Sequence, residues 1–161
     1  MIKLSELIRP DGVLLDVAGE KIDVVLDNIT AQLAQNGLIE QDDRQRLVEV
    51  IKEREKLCST AVGLGAAIPH AYFDKLPKPM VVICRLQQAV EYCTPDERPD
   101  EHPVDLIFLL LGPQRDDASH IQILSKIVRM IKDEKFDKDL RAARSPEQAM
   151  DAVFEVEQRH H

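Results

Sequence analysis

The chain has 161 residues, 44% of them hydrophobic and 31% charged, and its formal net charge is -8 at pH 7. This length and balance predict one globular domain that can bury a substantial core, and they exclude an intrinsically disordered chain. A net acidic surface argues against non-specific binding to nucleic acid and against docking on anionic lipid.

Signals for membrane insertion and export are missing from the sequence. Its longest apolar run, Leu106 to Leu111, has the length of a strand, whereas a membrane-spanning helix needs roughly 18 residues. The N-terminal segment has no apolar signal-peptide region and no cleavage site. The cysteines, Cys58, Cys84 and Cys93, form no C-x-x-C pair, so neither a disulfide framework nor a thiolate zinc site is indicated. We therefore expect a cytoplasmic protein.

The first part of the chain predicts a strand followed by two helices. Val13 to Val17 is a short β-rich segment between Gly12 and Gly19, which is typical of a strand. Apolar residues recur at helical spacing from Ile22 to Leu33, and Asn36-Gly37 is a good stop signal. A second helix is predicted to begin near Asp42-Asp43 and to fade after Arg54.

The central part of the chain predicts strands. The segment from residue 59 to residue 70 is too rich in glycine for a helix, and part of it, around Val62 or Ala67-Ile68, is expected to pair as a strand. Met80–Leu86 and Val104–Leu111 are near-continuous apolar runs, as buried strands are. The polar segment between them, from Thr94 to Pro103, contains three prolines and is predicted to be a loop.

Three helices are predicted after the last strand. Ile121, Leu124, Val128 and Ile131 indicate an amphipathic helix, a shorter helix contains Phe136 and Leu140, and Ser145-Pro146 opens the last one with Gln148 placed as in a capping box. Buried strands and helices in one domain predict an α/β fold, with three α/β/α layers around a mixed sheet.

His70 is the first candidate for chemistry. It follows Pro69, whose ring restricts the backbone, and an unperturbed imidazole is largely neutral and nucleophilic near neutral pH. Glycine backbones can turn N–H groups toward an anion, and hydroxyl groups add donors. The residues predicted to bind phosphate in this way are Ser59, Thr60, Gly63 and Gly65. Spacing alone is equally compatible with a surface histidine after a glycine turn.

His120 and Arg54 are the other candidates. A helix capped by Asp117 or Ser119 places His120 near its first turn, where the macrodipole attracts anions and favours a neutral imidazole that can donate a hydrogen bond. Arg54 carries a guanidinium, the side chain that best clamps phosphate. The alternatives are a solvent-facing His120 and an Arg54 paired with a neighbouring glutamate. A cysteine hydrolase is disfavoured because only Cys58 comes near a polar setting, and there is no helical H-E-x-x-H zinc pair.

Taken together, these residues resemble the enzyme IIA domains of the fructose–mannitol class (type 2) of the bacterial phosphotransferase system. That class includes the nitrogen-regulatory IIA-like proteins. The resemblance extends over a single domain, residues 1–157, and leaves 158–161 as a C-terminal tail. The segments that carry it are Arg54-Glu55, Ser59-Thr60, Gly63, Gly65, Ala67–His70, Pro103–Leu110 and His120.

The resemblance implies a phosphocarrier. The phosphohistidine carrier protein HPr, or its nitrogen-branch counterpart, would donate a phosphoryl group to Nε2 of His70. The group would then pass to a cysteine of a IIB partner or stay as a regulatory signal. His120 and Arg54 would stabilise the transferring group, and neither a metal nor a nucleotide cofactor is implied, because phosphoryl transfer needs mainly positioning and charge stabilisation.

Two alternatives remain open at this point. The chain could be a standalone nitrogen or metabolic regulatory protein that acts by phosphorylation-dependent contacts with other proteins, without sugar transport. It could also be a ligand sensor that retained the fold without being phosphorylated. Neither reading involves nucleic acid or direct membrane insertion.

Overall fold

The structure is a computed structural model that describes residues 2–57, 61–92, 103–114 and 117–160. Residues 94–102 of the predicted loop from Thr94 to Pro103, together with Ser59, Thr60, Cys58 and Cys93, lie outside the described residues, and Pro103 is the first residue of a strand. In chain order, the elements are β1 (Val13–Val17), α1 (Ile22–Gln35), α2 (Arg44–Leu57), β2 (Ala61–Gly63), β3 (Ala66–Ala67), β4 (His70–Tyr72), β5 (Met80–Glu91), β6 (Pro103–Gly112), α3 (Asp117–Ile131), α4 (Glu134–Ala142) and α5 (Pro146–Arg159).

The strands form one mixed sheet in the order β1-β5-β6-β3-β2, and β4 pairs with β6 beyond the end of β3. The central pair, β5 with β6, is antiparallel. β1 runs parallel to β5, and both β3 and β4 run parallel to β6. The chain passes from β3 to β4 through Ile68-Pro69, so His70 begins a second short strand at the same side of β6.

Helices cover both faces of the sheet and give two apolar cores. α1 and α2 pack on one face, and α3, α4 and α5 pack with the N-terminal segment on the other. Successive residues of a strand point to opposite faces, and β6 accordingly contributes Ile107, Leu109 and Leu111 to the first core and Leu106, Phe108 and Leu110 to the second. The predicted three-layer α/β/α sandwich with a mixed sheet is confirmed.

Several element ends follow local sequence signals. β1 has the predicted bounds, and α1 ends before Asn36-Gly37, with Gly37 at a φ of 80° that a glycine adopts without strain. The Ser145 hydroxyl accepts a hydrogen bond from the Gln148 amide at 3.2 Å, as the predicted cap requires. α5 continues to Arg159, so the predicted domain boundary after residue 157 falls within this helix.

Helix α2 differs from its predicted limits at both ends. A 3-10 turn, Gln41–Asp43, occupies the predicted start, and the α-helix begins at Arg44. The helix continues three residues past Arg54, to Leu57. Glu55, Lys56 and Leu57 are good helix formers, so nothing in their intrinsic preference ends the helix at Arg54.

The orientation of α3 corrects two predictions. Ile121, predicted on the apolar face, is 66% exposed, whereas His120, Ile123 and Ile127 are buried. The buried stripe is thus displaced by one residue toward the N-terminus and begins with a histidine, which a search for apolar residues passes over. Ser119 lies inside the helix, which begins at Asp117, and therefore does not cap it. None of the described helices is both long and apolar enough to span a membrane.

Candidate functional site

A cleft of about 450 Å³ lies at the edge of the sheet, where the two helical layers meet. β4 forms its floor, α2 contributes from one layer, and α3 contributes from the other. The described residues that line the cleft are Val50, Glu53, Arg54, His70, Ala71, Tyr72, His120, Ile121 and Leu124. The fold therefore brings His70, His120 and Arg54, three of the predicted site residues, to one place.

His70 is held in a defined tautomer by the backbone beside it. It is half-buried at the start of β4, where pairing with β6 fixes the strand opposite Leu110. Its Nδ1 lies 3.0 Å from the carbonyl oxygen of Ile68. A carbonyl can only accept a hydrogen bond, so Nδ1 carries the proton in this contact. In the neutral imidazole, Nε2 then keeps its lone pair and is the nucleophilic nitrogen.

His120 is buried in the first turn of α3, with 3% of its surface exposed. Its ring lies against Gly112, the last residue of β6, and a Cβ placed on Gly112 would be 2.6 Å from Nε2 of His120. On another side, the Tyr72 ring lies with its centroid 5.2 Å from that of His120 and its plane inclined by 35°. The solvent-facing alternative for His120 is therefore excluded.

Arg54 approaches the cleft from the last turns of α2. Its side chain is half-buried, and the neighbouring Glu53 is exposed and also lines the cleft. Val50, one turn earlier on the same helix, and Leu124 of α3 make the walls partly apolar. A guanidinium in such a setting presents several fixed N–H donors to an anion while competing water is partly excluded.

The two glycines predicted to bind phosphate, Gly63 and Gly65, lie in the hairpin between β2 and β3. The backbone of Gly63 ends β2 and pairs with Ala66 across a tight hairpin. Gly65 has a φ of 74°, and a Cβ placed there would lie 3.0 Å from a guanidinium nitrogen of Arg141 and 3.1 Å from a carboxylate oxygen of Asp105. The space beside Gly65 thus accommodates an ion pair. A phosphate-binding role for Ser59, Thr60, Gly63 and Gly65 stays a prediction.

Tyr72 is a residue of the cleft that is not among those predicted from the sequence. The available signal was the alternation of side chains in a strand: Tyr72 is two residues after His70 and so points to the same face. This alternation identifies Tyr72 only once His70 is known to lie in a strand. The 40% exposure of Tyr72 and its contact with a buried histidine distinguish it from an ordinary surface tyrosine.

Thiol and metal chemistry find no support among the described residues. Cys84 is fully buried in β5, and burial raises the pKa of its thiol well above the usual range, which disfavours the reactive thiolate. Within residues 2–57, 61–92, 103–114 and 117–160, no group of three or more His, Cys, Asp or Glu residues is placed to hold a metal ion.

Comparison with known proteins identifies the family. The family model described as "Phosphoenolpyruvate-dependent sugar phosphotransferase system, EIIA 2" matches residues 6–156. The chain belongs to this type-2 EIIA family. Its members' general role as phosphocarriers or regulatory components of the phosphotransferase system therefore applies to this chain as well.

Named relatives of this EIIA chain come from two branches. It is 35% identical over 153 residues to a nitrogen regulatory protein of Bradyrhizobium diazoefficiens, a match that covers 95% of this chain and 93% of the relative. It is 33% identical over 115 residues to the fructose-specific EIIA component of the phosphotransferase system from Haloferax volcanii, covering 71% and 72% of the two chains.

Solved structures agree with the EIIA fold. The nitrogen regulatory protein IIA-Ntr of Neisseria meningitidis superposes with a TM-score of 0.78 at 24% identity, over 92% of this chain and 97% of that one. The IIA mannitol enzyme of Escherichia coli, in a complex with phosphorylated IIB mannitol enzyme, gives a TM-score of 0.70 at 19% identity, over 92% of this chain and 99% of that one. At these identities the likeness concerns the fold.

Proposed function

We propose that this EIIA chain accepts a phosphoryl group on Nε2 of His70 from an HPr-type phosphohistidine carrier. The observation that carries the proposal is the 3.0 Å contact between Nδ1 of His70 and the Ile68 carbonyl. Because that contact keeps the proton on Nδ1, the free lone pair belongs to Nε2, and the imidazole needs no general base to become a nucleophile.

The transfer balances without a cofactor. The Nε2 lone pair of His70 forms a bond to phosphorus, and the bond from phosphorus to the carrier's imidazole nitrogen breaks. The leaving imidazole keeps that electron pair and becomes neutral. The proton on Nδ1 of His70 remains in place, and the Ile68 carbonyl stabilises the positive charge that the phosphorylated ring acquires. No proton has to enter or leave during the step.

His120 and Arg54 are proposed to stabilise the transferring group. Charge spreads over the three equatorial oxygens in the transition state, so fixed donors around them lower the barrier. Arg54 supplies a cationic donor set at one wall of the cleft and His120 an imidazole at another. Burial of His120 restricts its ring to few orientations, which reduces the reorganisation needed when the phosphoryl group arrives.

The acceptor is tested by labelling. The chain is incubated with radiolabelled phosphoenolpyruvate, enzyme I and a carrier of the HPr type, and we expect about one acid-labile, base-stable label per chain, since His70 alone is proposed as the nucleophile. His70→Ala should abolish the label. His160→Ala removes an exposed histidine at the end of α5 and should leave it intact. Undiminished labelling of the His70→Ala protein contradicts the assignment.

His120 and Arg54 are tested by rates rather than by stoichiometry. His120→Ala and Arg54→Gln should slow transfer in both directions by about 10²-fold or more, the usual cost of losing one donor to a developing charge. The label should remain on His70 in both variants. Normal exchange rates in a folded His120→Ala protein would remove that residue from the mechanism.

The onward step distinguishes the two branches of the family. The nitrogen regulatory relative covers more of this chain than the fructose-specific one does, and it is slightly more similar. This favours phosphorylation as a regulatory signal, and we expect the protein to act in the cytoplasm, where its donor occurs.

The labelled chain is mixed with a IIB protein of the fructose or mannitol class. Rapid loss of label to a IIB cysteine supports transport, and a retained label supports regulation.

A further inference from the structure

Tyr72 occupies a place that the strand pairing determines. In the parallel ladder between β4 and β6, His70 lies opposite Leu110 and Tyr72 lies opposite Gly112. His70 and Tyr72 therefore share the face of the sheet that α3 covers, and both line the cleft. Ala71 between them points to the other face and is buried in the core beneath α1 and α2.

Tyr72 and Gly112 both lie against the His120 ring. Gly112 leaves open the space beside Nε2 of His120, and the backbone of Pro79 lies close on the same side. The Tyr72 ring packs against the imidazole at a centroid distance of 5.2 Å. Tyr72 is 40% exposed and His120 only 3%, so the tyrosine ring that contacts the buried imidazole also reaches solvent.

From this arrangement we propose that Tyr72 is a positioning residue that holds the His120 imidazole in one orientation for phosphoryl transfer. An aromatic ring is rigid, with only two side-chain torsions, so it restricts a neighbouring ring at a small entropic cost. Packing between the two rings is the proposed means of restriction. The proposal rests on the function assigned to the cleft, since it concerns the geometry of the same transfer step.

The first test measures solvent access to His120 without any carrier protein. Hydrogen–deuterium exchange at C2 of each histidine ring is followed by NMR or mass spectrometry. Tyr72→Ala should speed exchange at His120 several-fold, toward the rate of the exposed His160, while Tyr72→Phe should leave it at the wild-type rate. Phe154→Ala removes an exposed aromatic ring from α5 and should not affect His120.

The second test separates positioning from docking. With a saturating HPr-type carrier, Tyr72→Ala should lower kcat for labelling of His70 by about tenfold, as expected when a stabilising group is misplaced by less than an ångström, with KM unchanged. Tyr72→Phe should restore the wild-type kcat. Thermal unfolding of each variant excludes a general loss of structure as the cause.

Either test can overturn the proposal. Wild-type exchange at His120 in the Tyr72→Ala protein shows that the ring does not restrict the histidine. A rise in KM with unchanged kcat makes Tyr72 a docking contact instead. If the wild-type chain takes up no label at His70, the proposed function fails, but the exchange comparison still decides whether Tyr72 holds His120.

Discussion

At the scale of single residues, the position of His120 depends on the absence of a side chain at Gly112. A Cβ there would approach Nε2 of His120 to 2.6 Å and Cα of Pro79 to 3.0 Å. Real Cβ atoms do not come this close to neighbouring atoms, so the imidazole or the backbone would have to move. One residue at the end of β6 thus controls where a side chain of α3 can lie.

We expect Gly112→Ala to lower the free energy of unfolding by about 1–3 kcal/mol, because it overpacks a filled space. It should also slow phosphoryl transfer, since His120 must shift. Chemical denaturation and the labelling assay measure the two effects. Gly12→Ala is the matched control, because its Cβ would meet only ordinary contacts at 3.5 Å and beyond. Equal stability and equal rates in the two variants would contradict this role of Gly112.

The candidate residues could be predicted from the sequence, whereas the surroundings of their side chains could not. The family-like pattern before His70 and the helix start before His120 indicated both histidines, and the cleft contains both. His120 contacts Gly112 and Tyr72, which lie 8 and 48 residues away in the chain. These contacts come from the pairing of β4 with β6 and from the packing of α3 against β6, which no local pattern encodes.

At the scale of elements, Arg85 joins helix α4 to the sheet. From β5, its Nη1 donates to the carbonyl oxygens of Leu140, Arg141 and Ala143 at 2.8–3.2 Å, and its Nε donates to that of Leu15 in β1 at 3.2 Å. The last carbonyls of a helix have no partners within the helix. A single guanidinium therefore satisfies the end of α4 and fixes that helix to two strands.

We expect Arg85→Met to lower the free energy of unfolding by about 2 kcal/mol, because several carbonyl groups lose a charged donor. Lys135→Met is the control, since Lys135 makes exposed ion pairs with Asp139 and Glu155, and such pairs contribute little to stability. Urea denaturation of both variants provides the comparison. Losses of the same size in both would show that Arg85 contributes no more than a surface ion pair.

Element prediction succeeded where the decisive signal was local. The glycines that bound β1 and the Asn36-Gly37 stop of α1 act within a few residues, and both elements have the predicted limits. The predicted apolar face of α3 is one residue out of place, because the sequence pattern includes the exposed Ile121 and leaves out the buried His120. Ile121 lines the cleft, so its exposure is a departure from helix patterning at the candidate site.

At the scale of the whole molecule, the cleft exists only where both helical layers are assembled on the sheet. Arg54 comes from the layer of α1 and α2, and His120 from the layer of α3, α4 and α5. The short strand β4 carries His70 between them. The phosphoryl transfer proposed at this place therefore depends on the packing of both cores.

Asp133, which is hydrogen-bonded to the C-terminal end of the chain, makes the stability of this packing depend on pH. Its carboxylate accepts hydrogen bonds from the side chain of Arg159 at 2.7 and 3.1 Å and caps α4 through the Phe136 amide. The Arg159 guanidinium, followed by the Phe136 amide and His160, holds the pKa of Asp133 far below its usual range, although burial acts in the opposite direction. One carboxylate thus connects the start of α4 with the end of α5.

Because the folded-state pKa of Asp133 is lowered, its contribution to stability is fully present above the unfolded-state pKa of about 4. It is lost as the pH falls toward the folded-state value. We expect Asp133→Asn, which keeps an N-cap acceptor, to lower the free energy of unfolding by about 1–2 kcal/mol at pH 7. The difference from wild type should shrink steadily below about pH 4, as measured by denaturation at a series of pH values.

Asp11→Asn, at an exposed carboxylate, should have little effect at any pH. A difference for Asp133→Asn that stays constant down to acid pH would mean that the Asp133 charge does not contribute to stability, because only a charge contribution disappears on protonation.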